Sequence, residues 1–309
     1  MICAIAPGKI ILFGEHFVVK GKPALGLAVS IYAKVCVDKG SGRIYSRQIG
    51  EIAQGSQAHE AIETIKTLVS KLHGCSLDEI DIFIDSEIPV GAGMGSSAAV
   101  SVATAFALTY YCENNSPDKD VINRIAFEAE KKIHVRPSGI DNTLATYGGF
   151  VLYKSGVFER VETGFPPEAK ILVVDSRVKR STGRVVSDVL ERYSRLENVM
   201  RHVYDAAEFV VHTALDALRK GDLGTIGELM SVNHGLLWSI GASSKVCDDI
   251  VYTLLEGGAL GAKISGAGRG GVVIGIFRGS PPSDLVSKLV EKGFGVYELV
   301  PDYLGVRIL

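Results

Sequence analysis

Across residues 57–72 the apolar side chains Ala58, Ala61, Ile62, Ile65, Leu68, Val69 and Leu72 recur every three or four positions, with Glu60, Glu63, Lys66 and Lys71 between them. That spacing predicts an amphipathic helix with one face turned to a core. Ahead of it the pattern is β: residues 2–6 and 9–13 read as short apolar strands broken by Pro7-Gly8, and residues 29–37 as another. Residues 81–86 alternate Ile82 and Ile84 against polar neighbours and predict a strand. The apolar run 98–112, interrupted by Ser101, Thr104 and Thr109, is too short for a membrane span and predicts a buried helix. Ser116-Pro117 then signals a second helix reaching about Lys132.

Residues 162–168 carry Pro166-Pro167, which can continue neither a helix nor a central strand, so the boundary between two domains, 1–165 and 166–309, is expected there. Beyond it a strand is expected at 169–174, helical patterns over roughly 183–220, 222–233 and 244–256, and strands at 272–277 and 295–300 around a helix near 283–291. Strands and helices that mix in this way, without a repeat, indicate an α+β fold.

Composition narrows the function classes. The 309 residues hold 47% hydrophobic side chains, enough for one or two filled cores, and 33 basic against 35 acidic residues. A net charge of −2 provides no general field toward nucleic acid or an acidic membrane surface, so any anion site must be local. Cys3, Cys36, Cys75, Cys112 and Cys247 form no C-x-x-C pair and have no histidine at zinc-finger spacing, so reduced thiols in a cytoplasmic protein are expected. Lys9 and Glu15 interrupt the apolar start, which reads as a strand rather than a secretion signal.

The chemistry concentrates in glycine-rich segments. Pro89, Val90, Gly91, Ala92, Gly93, Met94, Gly95, Ser96, Ser97 and Ala98 place three alternating glycines and two hydroxyls between a predicted strand and a predicted helix. Glycines with positive φ bring backbone N–H groups close to an anion, and the helix behind adds unpaired donors and its dipole. Gly95 stands where a P-loop has lysine, and the G-x-G-x-G spacing is not that of a dinucleotide fold. Taken alone, this segment and four others each have a bland alternative. Lys9 beside Pro7-Gly8, with Glu15-His16 after the strand, reads as a solvated strand end. Glu130 and the run from His134 through Pro137-Ser138-Gly139 to Asp141-Asn142 read as a helix end. The basic cluster Arg177, Lys179, Arg180 before Ser181-Thr182 reads as loop charge. Gly266-Ala267-Gly268-Arg269-Gly270-Gly271 is followed by an apolar strand where a dinucleotide motif needs a helix.

In order along the chain, Pro7 to His16, Pro89 to Ala99 and Lys263 to Gly271 resemble the three motifs of the GHMP kinase family, and the resemblance spans nearly the whole sequence. Gly14-Glu15-His16-Phe17-Val18-Val19, the following Gly21-Lys22-Pro23-Ala24, Pro137-Ser138-Gly139-Ile140-Asp141-Asn142 and Lys179-Arg180-Ser181-Thr182 are most similar to the branch that acts on mevalonate. The resemblance implies a ribosomal-S5-like N-terminal domain and a ferredoxin-like C-terminal domain. It implies transfer of the γ-phosphate of ATP to the 5-hydroxyl of mevalonate in isoprenoid biosynthesis, with Mg2+ as cofactor. Other acceptors within the family are phosphomevalonate, the 3-hydroxyl of mevalonate, or a sugar.

By matched position, the resemblance makes Asp141 and Lys9 catalytic. It assigns Pro89, Gly91, Ala92, Gly93, Met94, Gly95, Ser96, Ser97 and Ala98 to the ATP phosphates, Ser97 and Glu130 to the metal, and His16, Thr182, Gly266 and Ala267 to the acceptor. A non-catalytic nucleotide-binding regulator on the same fold would not need Asp141 and Lys9 so placed. Two departures stand out: Val135-Arg136 replaces a glycine and a small or polar residue before Pro137, and Arg269, replacing a glycine, is expected to face solvent. The sequence does not identify the adenine pocket, although the region before the first long helix is the natural place to look, and the assembly state is left open, a homodimer included.

Overall fold

A computed structural model describes residues 1–133 and 137–309. In chain order the first half holds β1 (Ile2–Phe13), β2 (Ala24–Lys39), β3 (Ile44–Ser46), β4 (Gly50–Glu51), α1 (Gln57–His73), β5 (Ile80–Ser86), α2 (Ser96–Glu113), α3 (Lys119–Ile133), α4 (Ile140–Tyr147), β6 (Phe150–Lys154) and β7 (Val157–Val161). The second half holds β8 (Ala169–Asp175), α5 (Thr182–Arg195), α6 (Glu197–Lys220), α7 (Leu223–Ser239), α8 (Lys245–Glu256), β9 (Gly261–Ser265), β10 (Val272–Arg278), α9 (Ser283–Glu291), β11 (Gly295–Leu299) and β12 (Arg307–Ile308). This is an α+β architecture built on two sheets.

The first sheet runs β12-β1-β2-β5-β3-β4, with the β6–β7 hairpin joined to β2. The length of β2 makes this possible: Ala33–Lys39 pairs with β5 while Ala24–Leu27 pairs with β6, both antiparallel. The turn signal Pro7-Gly8 does not divide two strands. It marks a bulge, where the register against β2 shifts, and β1 continues through it. The second sheet, β11-β8-β10-β9, is antiparallel throughout.

Helix α2 is buried on nearly every side, between the first sheet and α1, α3 and α4. Its lack of a polar stripe is the expected pattern for such a position, and Thr104 satisfies its hydroxyl by donating to the Val100 carbonyl at 2.7 Å. The 183–220 helical pattern divides at Leu196, whose backbone leaves helical geometry between α5 and α6. One apolar core runs from β1, β2 and α2 into β8, β10, α6 and α7, so the halves pack as neighbours with a shared interior. After β11 the chain returns to the first sheet through β12, which pairs with β1 at Ala4 and Ile5.

The expectation of reduced thiols is corrected. Antiparallel pairing sets Cys3 directly opposite Cys36, and the loop after α1 brings Cys75 to Cys112 in the last turn of α2; both pairs form disulfides, while Cys247 is buried and free. The sequence spacing carried no sign of this, because sheet register and helix docking create the proximity. Among the described residues no helix is long and apolar enough to cross a membrane.

Candidate active site

Gly91, Gly93 and Gly95 all have positive φ, at +77°, +90° and +75°. The alternation turns successive peptide N–H groups to one side. At Gly95 the geometry requires glycine twice over: besides its φ, a Cβ there would lie 2.9 Å from Lys9 Cγ and 3.6 Å from Asp141 Oδ2. Gly95 also caps α2 without any side-chain hydrogen bond, so the first N–H groups of an 18-residue helix open onto the loop. Pro89, Gly91, Gly93, Met94, Gly95, Ser96 and Ser97 line a cavity of about 580 Å³. Ala92 and Ala98, also expected at the phosphates, are buried and do not line this cavity.

Strand β1 delivers Lys9 to this loop, with its N–H donating to the Met94 carbonyl at 2.9 Å. Lys9 is 7% exposed, and its Nζ lies 3.2 Å from Asp141 Oδ1, in the first turn of α4. From α3, Glu130 meets Ser97: the hydroxyl donates to Glu130 Oε2 at 3.3 Å. Burial, and then the Asp141 carboxylate, push the Glu130 carboxyl up to about 7. A bound cation would relieve that cost, and one carboxylate with one hydroxyl suits a hard ion completing its shell with phosphate oxygens and water. Among the described residues no cluster of three or more His, Cys, Asp or Glu side chains offers a full protein cage. The donor set therefore fits magnesium held jointly with a nucleotide.

A second cavity, of about 250 Å³, lies against the first, and Lys9, Asp141, Thr182, Gly266 and Ala267 line both. His16 forms part of its wall and donates from Nε2 to the Ala267 carbonyl at 2.8 Å, which leaves Nδ1 as an acceptor. Burial lowers the His16 pKa below its usual 6.5. The remaining lining is largely apolar, with Ile11, Val19, Ile140, Tyr153 and Val186 beside Ser138 and Glu15.

Arg180 belongs to this site although the sequence marked it only as one of several loop cations. Its Nη1 donates to Thr182 Oγ1 at 2.7 Å, and its Nε is buried without a hydrogen-bond partner among the described residues. The guanidinium passes so close to the phosphate loop that a Cβ on Gly93 would lie 3.0 Å from Nη2, and one on Gly271 2.9 Å from the same atom. Arg269 does the opposite of what was expected. Instead of facing solvent it pairs with Asp188 and donates from Nε to the Gly241 carbonyl at 2.8 Å, bracing the last glycine loop. The turn at Val135-Arg136 lies outside the described residues. The larger cavity is also lined by Gln48, Ile49 and Ile52, in the region before the first long helix where the adenine was to be sought, and by Ala61, Ile62 and Val100, which the sequence did not mark. These residues come from β3, β4, α1 and α2 and their connections, so no single motif announces them.

Residues 59–149 match the model of the GHMP kinases N-terminal domain, and residues 214–294 that of the GHMP kinases C-terminal domain. The chain is 37% identical to the mevalonate kinase of Aeropyrum pernix over 290 residues, which is 89% of this chain and 88% of that protein. It is 35% identical to the mevalonate kinase of Archaeoglobus fulgidus over 305 residues, covering 99% of both. The crystal structure of L. major mevalonate kinase in complex with R-mevalonate superposes with a TM-score of 0.80 at 32% identity, covering 96% of this chain and 95% of that one.

Proposed function

The chain belongs to the GHMP kinase family, and on that footing we propose that it transfers the γ-phosphoryl group of ATP to the 5-hydroxyl of mevalonate, yielding 5-phosphomevalonate and ADP. The observation that carries this reading is the junction of the two cavities at Lys9 and Asp141. A donor in the larger cavity and an acceptor in the smaller one would meet where a carboxylate and an ammonium already stand together.

Phosphoryl transfer passes through a loose transition state, so in-line positioning and charge dispersal supply most of the catalysis. The Gly91–Ser97 backbone and the N-terminus of α2 bind the triphosphate, and the apolar end of the larger cavity takes the adenine. Asp141 accepts a hydrogen bond from the acceptor hydroxyl and takes its proton as the oxygen–phosphorus bond forms. A carboxylate is too weak a base to remove an alcohol's proton in advance. Lys9 offsets the charge developing on the acceptor oxygen, and Arg180, reaching over Gly93, that on the moving phosphoryl group. Ser97 and Glu130 would hold a magnesium ion, whose chemistry there is to neutralise the phosphate oxygens.

The smaller cavity favours a compact acceptor with an apolar flank. A sugar presents a hydroxyl on nearly every carbon, and Ile11, Val19, Ile140 and Val186 would leave several of them without partners. His16 Nδ1 and Thr182 suit a few polar groups around a methyl-bearing carbon. Initial rates with ATP, Mg2+ and a panel of mevalonate, phosphomevalonate, homoserine and galactose test the assignment. Mevalonate is expected to have the highest kcat/KM, and turnover of another acceptor in its place would overturn the choice.

A further inference from the structure

Strand β9 pairs with β10 along one edge, and its other edge faces β1 with no strand pairing between them. Side chains bridge that gap. Lys263 and Ser265, two residues apart and so on one side of β9, both reach the backbone of Ile11. Ser265 Oγ accepts from the Ile11 N–H at 2.8 Å and donates to its carbonyl at 3.0 Å, and Lys263 Nζ donates to the same carbonyl at 3.4 Å. Lys263 is wholly buried; its other two donors go to the Ile264 carbonyl at 2.7 Å and to Glu15 Oε1. The second Glu15 oxygen accepts from Asn233 Nδ2 on α7 at 3.0 Å. None of the side chains of Lys263, Glu15 and Asn233 has been given a role so far.

Ile11 and Glu15 line the smaller cavity, Lys263 stands close to two further site residues in the chain, and Asn233 reaches the site through Glu15. Ile11 is two residues from Lys9 on the same strand, Glu15 adjoins His16, and Lys263 precedes Gly266 and Ala267 by one short turn. We propose that Lys263, Glu15 and Asn233 are positioning residues that set the register of the acceptor subsite, holding the strand that carries Lys9 against the loop that carries Gly266 and Ala267. The inference rests on the reading of the smaller cavity as the acceptor's. Lys9 and Asp141 belong to the first half of the chain, Thr182, Gly266 and Ala267 to the second, and the acceptor must be aligned between them. A buried ion pair is often no more stable than apolar residues in its place, so stability alone does not account for one here. A displacement of 1 Å between reacting groups costs about 100-fold in rate, and a slip by one strand residue is about 3.3 Å.

The test uses Asn233→Ala, Lys263→Met and the charge-balanced double variant Glu15→Gln with Lys263→Met. Four readouts are taken: kcat/KM for mevalonate, the Kd of a non-hydrolysable ATP analogue, Tm, and the 15N resonances of the His16 ring. Asn233→Ala is expected to lower kcat/KM about tenfold and Lys263→Met about 100-fold, with the analogue's Kd changed less than about threefold. The double variant should regain Tm without regaining kcat/KM. Activity that returns together with Tm overturns the positioning role, as does a wild-type rate in Asn233→Ala. If Lys263→Met does not fold, the other two variants decide. Absence of mevalonate turnover by the unaltered protein would refute the proposed acceptor instead. The His16 resonances then decide the inference, supported if they move in Asn233→Ala and overturned if they do not.

Discussion

Replacing Arg180 by methionine separates a catalytic cation from a structural one. The guanidinium is largely buried, its pKa drawn down by that burial, and it has no carboxylate partner within salt-bridge distance among the described residues. One hydrogen bond, to Thr182, and a buried Nε with no partner are a poor return for burying a charge. The substitution should therefore leave Tm unchanged or raise it. Loss of one donor directed at charge that develops in the transition state costs about 2.7–4 kcal/mol. At about 1.36 kcal/mol per factor of ten, that is about 100- to 1000-fold in kcat. Arg180→Lys keeps the charge and loses the planar fork that spans Thr182 and the phosphate loop, so it should recover only about tenfold of the loss. Steady-state kinetics with both substrates varied, alongside thermal melts, read the outcome. A kcat within about threefold of the unaltered enzyme, or a fall in kcat matched by a large drop in Tm, would refute the reasoning.

Asp141→Asn keeps the shape and removes the proton acceptor; kcat should fall by about 100-fold or more while the Kd of an ATP analogue is retained, and calorimetric titration with kinetics checks both. His16 and His234 are held neutral by burial, with folded pKa values below 6.5. The unfolded chain takes up protons first as pH falls through 6.5, so stability is lost below that value, and Tm measured from pH 8 to 5 should decline there, less steeply in His16→Gln. A flat profile would contradict this sign. The Cys3–Cys36 and Cys75–Cys112 bridges close loops spanning 33 and 37 residues, each worth about 4 kcal/mol on chain-entropy grounds. Melts with and without a thiol reductant should differ by more than about 5 °C, and an unchanged Tm would deny the cross-links a role in stability.

Motif chemistry was legible where it is local. The glycines before α2 need positive φ whatever surrounds them, and the amphipathic pattern of α1 fixes that helix to within a residue of its observed end. Contacts between distant segments were not legible. Arg180 looked like its neighbours Arg177 and Lys179 until β8, the phosphate loop and the last glycine loop converged on it. Lys263 sat in a recognised motif, yet its partner Glu15 lies 248 residues away. Helix α4, only eight residues long, and the short hairpin β6–β7 carry too little periodicity to stand out from loops. The cysteine pairs depended on register, and Arg269 on an acidic partner from α5, neither of which spacing reveals.

The central claim is that the junction at Lys9 and Asp141 phosphorylates the 5-hydroxyl of mevalonate. The product formed from R-mevalonate, ATP and Mg2+ by the unaltered enzyme can be examined by 31P NMR with proton coupling. The phosphorus signal should be split by the two C5 protons, the mark of phosphate on the primary oxygen. A phosphomonoester signal without that splitting, or no new ester while ATP is consumed, would contradict the account.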